Sequence, residues 1–143
     1  MAFSDPRAIA FVFPGQGSQR QGMAAALLDQ EPAARPVFNQ ASAVLRLDLA
    51  ALCSNGSDAL LTQTELAQPA VLTTSLAWLA VLRARRLSPQ MLAGHSLGEF
   101  AAWVASGALD LEAALTLVRH RAALMAEAAR RNPGGMLALI GIP

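Results

Sequence analysis

Two short apolar runs, each ended by glycine, are the clearest feature of the hydrophobic pattern. The first covers residues 8–13 and stops at Pro14-Gly15, and the second is Met91-Leu92-Ala93, closed by Gly94, within a predicted strand over residues 90–94. Apolar runs of this length between turn residues are typical of strands buried in a parallel sheet. We therefore predict one β-strand at each run.

Helices are predicted in the longer segments between and after these strands. They cover residues 23–28, 36–45, 69–86, 97–106 and 110–131, whereas residues 48–61 are expected to be irregular with short helical turns. Pro36 and Pro69 are assigned to first helical turns, where a missing N–H is tolerated. Gly107 is typical of a helix end and Asp110 of a helix cap. This order of strands and helices indicates an α/β fold with a parallel sheet.

The last residues predict one further strand, over residues 136–140, after the break at residues 132–135. Nothing later in the chain could pair with this strand, and an unpaired apolar edge is a liability for a folded protein. We therefore expect the chain to be the N-terminal part of a longer protein that is cut as its next subdomain begins.

Composition and charge narrow the class of protein. The chain has 143 residues, 54% hydrophobic and 15% charged, which is enough for one domain with a core. The net charge of +1 gives no electrostatic reason to expect nucleic acid as a partner. The N-terminus has no signal pattern, and we expect no uninterrupted apolar stretch of membrane length. The prediction is a cytoplasmic protein without a membrane partner.

Few residues suggest a metal or a cofactor. The single cysteine, Cys53, excludes an internal disulfide and is interpreted as a small buried apolar residue. Trp78 and Trp103 lie in apolar helical runs and are predicted to be core residues. No cluster has metal-ligand spacing, and no glycine fingerprint for a dinucleotide follows a strand. We therefore expect no metal and no cofactor.

The segment Gly94-His95-Ser96-Leu97-Gly98 has the Gly-x-Ser-x-Gly form of a nucleophile elbow. In such an elbow a strand turns sharply into a helix, and glycines two residues from the serine relieve the crowded backbone. Ser96 would then lie at a helix N-terminus, which favours a developing negative charge. A chance match to a short pattern is the competing interpretation, but the predicted strand and helix on either side favour a catalytic serine.

A serine nucleophile normally needs a base, and neither histidine of the chain is a good candidate. His95 is adjacent to Ser96, so the two side chains are expected to point apart, and an orienting or packing role is favoured for His95. His120 falls opposite the apolar stripe of its helix and is interpreted as a solvated surface residue. The missing base is a second indication of a longer protein.

Two other residues are candidates with open alternatives. Arg121 lies about 50° from the centre of the apolar stripe of its helix, so it is either a snorkelling arginine or a buried guanidinium that awaits a carboxylate. Gln16 lies in a glycine-lined loop directly after the first strand, where elbow enzymes place a second oxyanion donor. An ordinary turn is the alternative for Gln16.

Four motifs in this order resemble a known family. They are Phe11-Val12-Phe13-Pro14-Gly15-Gln16-Gly17-Ser18-Gln19, Gln68-Pro69-Ala70, Gly94-His95-Ser96-Leu97-Gly98-Glu99-Phe100 and the helix around Arg119-His120-Arg121. The chain resembles the malonyl-CoA:acyl carrier protein transacylases over nearly all of its length, and acyltransferase domains of polyketide synthases are similar. The resemblance implies an α/β-hydrolase-like large subdomain in residues 1–133 and the first strand of a ferredoxin-like small subdomain in residues 134–143.

The resemblance also implies roles for individual residues. Ser96 would carry the acyl group as an ester, and the backbone amides of Gln16 and Leu97 would form the oxyanion hole. Arg121 would pair with the free carboxylate of the malonyl group, and Gln68 would support the site. The partners would be malonyl-CoA and a phosphopantetheinylated acyl carrier protein, and the family's catalytic histidine has no counterpart here. Acetyl groups should load poorly, because a buried, unpaired guanidinium is costly.

Three alternatives to a fatty acid transacylase stay open from the sequence. Within the family, the chain could come from a polyketide synthase acyltransferase or from a malonate decarboxylase subunit. Outside it, an esterase or a patatin-like lipase shares the elbow. The residues could also be made as a stand-alone, non-catalytic fragment.

Overall fold

The computed structural model describes residues 8–134 together with Leu139 and Gly141. Nine elements follow one another in the described part of the chain. They are β1 (Ala10–Phe13), α1 (Ala25–Gln30), α2 (Ala34–Leu45), α3 (Leu49–Asn55), α4 (Asp58–Leu61), α5 (Thr64–Ala84), β2 (Met91–Gly94), α6 (Gly98–Ser106) and α7 (Leu111–Arg131). The strand predicted over residues 136–140 and most of the proposed boundary segment 134–143 lie outside the described residues.

The two strands pair in parallel, which confirms the predicted sheet. Ala10 is opposite Met91 and Phe13 is opposite Gly94, and all helices from α1 to α5 belong to the crossover between them. Parallel strands need such a crossover because the chain must return to the same end of the sheet. Both strands are shorter than predicted, with Ile9 and Gln90 held by hydrogen bonds just before the ladder begins. Both carboxyl ends therefore lie at one edge.

The core forms around α5, against which α2 and α7 pack. Phe38 of α2, Leu72 of α5 and Leu115 of α7 are at most 1% exposed. The apolar stripe predicted for α7 is largely confirmed, since Ala114, Leu115, Val118 and Ala122 are all buried. Burying this stripe fixes the rotation of α7, and so it determines which of its polar residues can approach the sheet.

The start of α5 corrects the sequence prediction. The helix was expected to begin at Pro69, but it begins at Thr64 and contains Pro69 as its sixth residue. Proline removes the N–H that would donate to the carbonyl of Glu65, and the helix continues with that one bond missing. The earlier start places Thr64 and Gln68 one turn apart on one helix face.

The helix ends that Gly107 and Asp110 mark were predicted correctly, because local residues determine them. The Asp110 carboxylate accepts from the backbone N–H of Ala113 at 2.7 Å, and Gly107 closes α6 in a left-handed conformation. Residues 48–61 form the short helices α3 and α4, which Asp48 and Ser57 cap. These two helices agree with the predicted short helical turns.

Two predictions about apolar segments are wrong. Trp78 and Trp103 were expected in the core, but they are 46% and 43% exposed. Their helices are apolar nearly all round, so periodicity does not identify the outward face. Trp103 instead packs edge-to-face on Phe100, with ring centroids 5.1 Å apart.

The mean hydropathy of α5 is high although polar residues interrupt its apolar run. By length and composition, α5 is long and apolar enough to cross a membrane. In this fold, however, 67% of its apolar window is buried. This burial is typical of the central helix of a globular domain.

Candidate active site

Ser96 lies at a sharp turn between β2 and α6, as the elbow motif predicts. Its φ is +51°, in the left-handed region that non-glycine residues rarely adopt. The residue is exposed, so its side chain is not packed into the core. A strained, exposed serine between a strand and a helix is the arrangement of a nucleophile elbow.

The two glycines of the elbow permit a very close backbone approach. A Cβ on Gly94 would lie 2.2 Å from the carbonyl carbon of Gly98, and a Cβ on Gly98 would lie 2.2 Å from the carbonyl oxygen of Phe13. Both distances are far inside van der Waals contact, and backbone atoms cannot move away cheaply. The predicted role of Gly94 and Gly98 in relieving a clash is therefore confirmed.

His95 connects the elbow to the loop after β1. Its N–H donates to the Phe13 carbonyl at 3.0 Å, which continues the parallel pairing by one residue. A Cβ on Gly15 would lie 2.7 Å from the His95 Nδ1 atom, so the ring packs directly on this glycine. Among the described residues, His95 makes no hydrogen bond to the Ser96 hydroxyl. The packing interpretation of His95 therefore fits the structure, and His120 is exposed as predicted.

Arg121 of α7 reaches the elbow. Its Nη2 donates to the Ser96 Oγ at 2.9 Å, and its Nη1 donates to the Gln68 Oε1. The side chain is half-buried, and its guanidinium faces the serine. This geometry matches neither alternative for Arg121 in full: the guanidinium turns towards the serine and not out to solvent, but it is only half-buried and already hydrogen-bonded. It also removes the reason given for poor acetyl loading, because the guanidinium is neither fully buried nor unpaired.

Gln68 of α5 is fully buried and its side chain is fully hydrogen-bonded. Its Oε1 accepts from Arg121, and its Nε2 donates to the Thr64 Oγ1 at 2.8 Å and to the Met125 Sδ at 3.2 Å. Sequence reasoning missed both Thr64 and Met125. The signal was helical spacing, because Thr64 lies four residues before Gln68 and Met125 four residues after Arg121.

The two candidate oxyanion donors flank the elbow. Leu97 directly follows Ser96, with its side chain 1% exposed, and Gln16 directly follows the glycine that contacts His95. Neither backbone N–H donates a hydrogen bond to any residue that the structure describes. The Gln16 side chain is fixed, because its Oε1 accepts from the Thr64 Oγ1 at 3.0 Å. Two unpaired amides beside a nucleophile are what an oxyanion hole needs.

One cavity among the described residues lies apart from Ser96. A cavity of about 480 Å³ runs along β1 and α5, and its lining includes Phe11, Met23 and Trp78 but not Ser96. Within residues 8–134, no group of three His, Cys, Asp or Glu side chains lies close enough to hold a metal ion. The site is therefore an exposed hydroxyl that accepts from Arg121, which a buried Gln68 holds in turn.

Comparison with known proteins identifies the family. Residues 10–141 match the acyl transferase domain. The chain belongs to the acyl transferase domain family. Ser96, Gln68 and Arg121 all lie within the part of the chain that this family match covers.

Relatives within the acyl transferase domain family are similar in sequence and in structure. The chain is 46% identical over 134 residues to the malonyl CoA-acyl carrier protein transacylase of Bacillus subtilis (strain 168), covering 94% of this chain and 42% of that protein. The transacylase from Coxiella burnetii is 48% identical with a TM-score of 0.82, over 86% of this chain and 39% of that structure. A malonyl-transacylase solved in complex with its type II PKS acyl-carrier protein is 43% identical with a TM-score of 0.81, over 85% and 40%.

The chain spans less than half the length of these relatives. The shared part includes the elbow, the Gln16 loop, α5 and α7. The family match and these similarities support the predicted α/β fold with a parallel sheet.

Proposed function

We propose that this chain is part of an acyltransferase that moves a malonyl group from malonyl-CoA to the phosphopantetheine thiol of an acyl carrier protein. The observation that carries the proposal is the hydrogen bond from the Arg121 guanidinium to the hydroxyl of an elbow serine. This arrangement combines a nucleophile with a cation that suits a carboxylate, and a malonyl thioester presents both a reactive carbonyl and a free carboxylate.

In the first proposed step, the Ser96 oxygen attacks the thioester carbonyl of malonyl-CoA. A C–O bond forms and the C–S bond breaks, and the serine proton passes through a base to the CoA sulfur, which leaves as a thiol. The negative charge on the carbonyl oxygen would be held by the backbone N–H groups of Gln16 and Leu97. In the second step, the carrier thiol attacks the ester carbonyl, a C–S bond forms as the ester C–O bond breaks, and the thiol proton passes through the base to the Ser96 oxygen.

Selectivity for malonyl over acetyl groups would come from attraction at Arg121. The substrate carboxylate would take the place of the Ser96 oxygen as a partner of Nη2, while Nη1 stays on Gln68. Gln68 would support the site by holding the guanidinium in this orientation. An acetyl group has no carboxylate and would gain nothing from Arg121.

The general base of this reaction would be a histidine outside residues 1–143. His120 is exposed on α7, and His95 is occupied in packing on Gly15. We therefore propose that residues 1–143 alone do not complete the transfer. In the same proposal, residues 1–133 belong to an α/β-hydrolase-like subdomain of a cytoplasmic enzyme, and a ferredoxin-like subdomain begins at residues 134–143.

The test is intact-mass measurement after exposure to malonyl-CoA, on a protein that carries residues 1–143 and extends to the length of its relatives. The expected result is a mass increase of one malonyl group, which is absent in the Ser96→Ala variant and is removed by a phosphopantetheinylated carrier protein. Rapid turnover of p-nitrophenyl esters with no transfer to the carrier would indicate a serine hydrolase instead. Carriers from fatty acid and polyketide synthesis, compared side by side, would distinguish these two contexts.

A further inference from the structure

Thr64, at the first position of α5, links the two halves of the candidate site. We propose that Thr64 is a positioning residue, which holds Arg121 in place through Gln68 and holds the Gln16 loop against the elbow. The proposal rests on the proposed function, in which Arg121 binds the malonyl carboxylate and the Gln16 amide binds the oxyanion. It adds a residue that touches neither group directly.

The hydrogen bonds form one continuous chain with a single direction. Arg121 donates to the Gln68 Oε1, the Gln68 Nε2 donates to the Thr64 Oγ1 at 2.8 Å, and the Thr64 hydroxyl donates to the Gln16 Oε1 at 3.0 Å. Donors and acceptors arranged in series polarise one another, so that each bond strengthens its neighbours. This series of hydrogen bonds joins α7, α5 and the loop after β1.

The chemistry of arginine fixes this direction. A guanidinium can only donate, so the Gln68 Oε1 must face Arg121 and the Nε2 must point away from it. The Thr64 oxygen accepts from that Nε2, and its own proton is then free for the Gln16 Oε1. A hydroxyl is the group that can accept on one side and donate on the other, and a valine of the same shape can do neither.

The position of Thr64 leaves its hydroxyl available for this task. Thr74, ten residues later in the same helix, donates to the carbonyl of Ala70 at 2.9 Å, as threonines inside helices often do. Thr64 is the first residue of α5, and its hydroxyl donates across to Gln16 instead. Sequence and backbone position therefore both favour an inter-element role for Thr64.

Loss of the Thr64 hydroxyl would leave the buried Nε2 donor of Gln68 without a good acceptor. Gln68 is 0% exposed, and without Thr64 its Nε2 has only the Met125 Sδ, a weak acceptor, among the partners that the structure shows. Rotation of the Gln68 side chain away from Arg121 would then lower its free energy. Because the loss of one such hydrogen bond corresponds to about a tenfold change in an equilibrium, malonyl loading should fall by about that factor.

The experiment measures the rate at which malonyl-CoA acylates Ser96 in three variants. All three are made in a protein that carries residues 1–143 and extends to the length of its relatives. Thr64→Val keeps the shape and loses the hydroxyl, so its kcat/KM should fall about tenfold. Thr64→Ser loses the methyl and keeps the hydroxyl, so it should load at the unmodified rate. Thr62→Val, which changes an exposed threonine just before α5, is the matched control and should also load normally.

A purely structural role predicts the opposite order, with Thr64→Ser impaired and Thr64→Val normal, and that result would overturn the proposal. The double variant Thr64→Val with Arg121→Ala should load no more slowly than Arg121→Ala alone, apart from the contribution of the Gln16 loop. Full additivity would show that Thr64 does not act through Arg121.

A second measurement separates this proposal from the proposed function. In residues 1–143, the side-chain amide protons of Gln68 should exchange slowly with solvent by NMR, and Thr64→Val should speed this exchange while Thr64→Ser does not. Unchanged exchange in Thr64→Val overturns the link between Thr64 and Gln68, whatever the activity. If the unmodified full-length protein is not acylated by malonyl-CoA, the proposed function fails, and the role of Thr64 in loading fails with it.

Discussion

Replacing Arg121 by alanine should reduce discrimination between malonyl and acetyl groups by about 30-fold. In the structure the Arg121 Nη1 donates to Gln68 and its Nη2 donates to Ser96. A substrate carboxylate would replace the Ser96 oxygen as the acceptor of the Nη2 hydrogen bond. One charge-assisted hydrogen bond contributes about 1.5 to 3 kcal/mol. Because Arg121 is half-buried, solvent screens this contact, and we take about 2 kcal/mol, or about 30-fold in kcat/KM.

The assay is the rate of Ser96 acylation by malonyl-CoA and by acetyl-CoA, measured separately in the protein of full family length. The malonyl rate should fall by this factor while the acetyl rate stays within about twofold. Arg121→Lys keeps the charge but not the planar fork and should recover only part of the loss. Arg119→Ala, which removes an exposed arginine from the same helix, is the control. An unchanged malonyl-to-acetyl ratio in Arg121→Ala would refute the assigned role.

Three further predictions concern stability and reactivity, measured by denaturant or thermal unfolding of residues 1–143. The Thr73 hydroxyl is buried without a partner among the described residues, so Thr73→Val should stabilise the fold by about 1 kcal/mol, whereas Thr74→Val should destabilise it because its hydroxyl is bonded. Gly98→Ala should destabilise by about 3 kcal/mol or more, because its Cβ would overlap backbone; full stability would contradict the close approach. Burial raises the pKa of the Cys53 thiol from 9.0 to about 11. The thiol ionises at lower pH in the unfolded chain, so the free energy of unfolding should be constant in this respect below pH 9 and should fall as the pH rises towards 11. Cys53→Ala should abolish that fall.

The sequence predicted the parts of the fold that local chemistry determines. Asp110 and Gly107 mark helix ends because a cap or a left-handed residue acts within one turn. The elbow could be predicted because the spacing of Gly94 and Gly98 around Ser96 is a requirement of backbone packing. The parallel pairing of the strands followed from the long helical segment between them.

Other features depend on tertiary contacts that a single sequence does not encode locally. Periodicity placed Arg121 at the edge of an apolar stripe, but its partners Ser96 and Gln68 are 25 and 53 residues away in the chain. Thr64 was missed because Pro69 was interpreted as a helix start. Trp78 was assigned to the core because hydrophobicity alone cannot distinguish the inner face of an apolar helix from its outer face.

The left-handed backbone conformation of Ser96 lowers the stability of the fold at the residue that we propose as the nucleophile. A glycine there would adopt φ +51° without penalty, whereas a side chain costs about 1 kcal/mol or more. A Ser96→Gly variant should therefore withstand heat better than the unmodified chain, while Ser96→Ala keeps the strain and loses the oxygen. A glycine would relieve this strain, whereas the proposed reaction needs the hydroxyl of a serine held in the same unfavourable conformation.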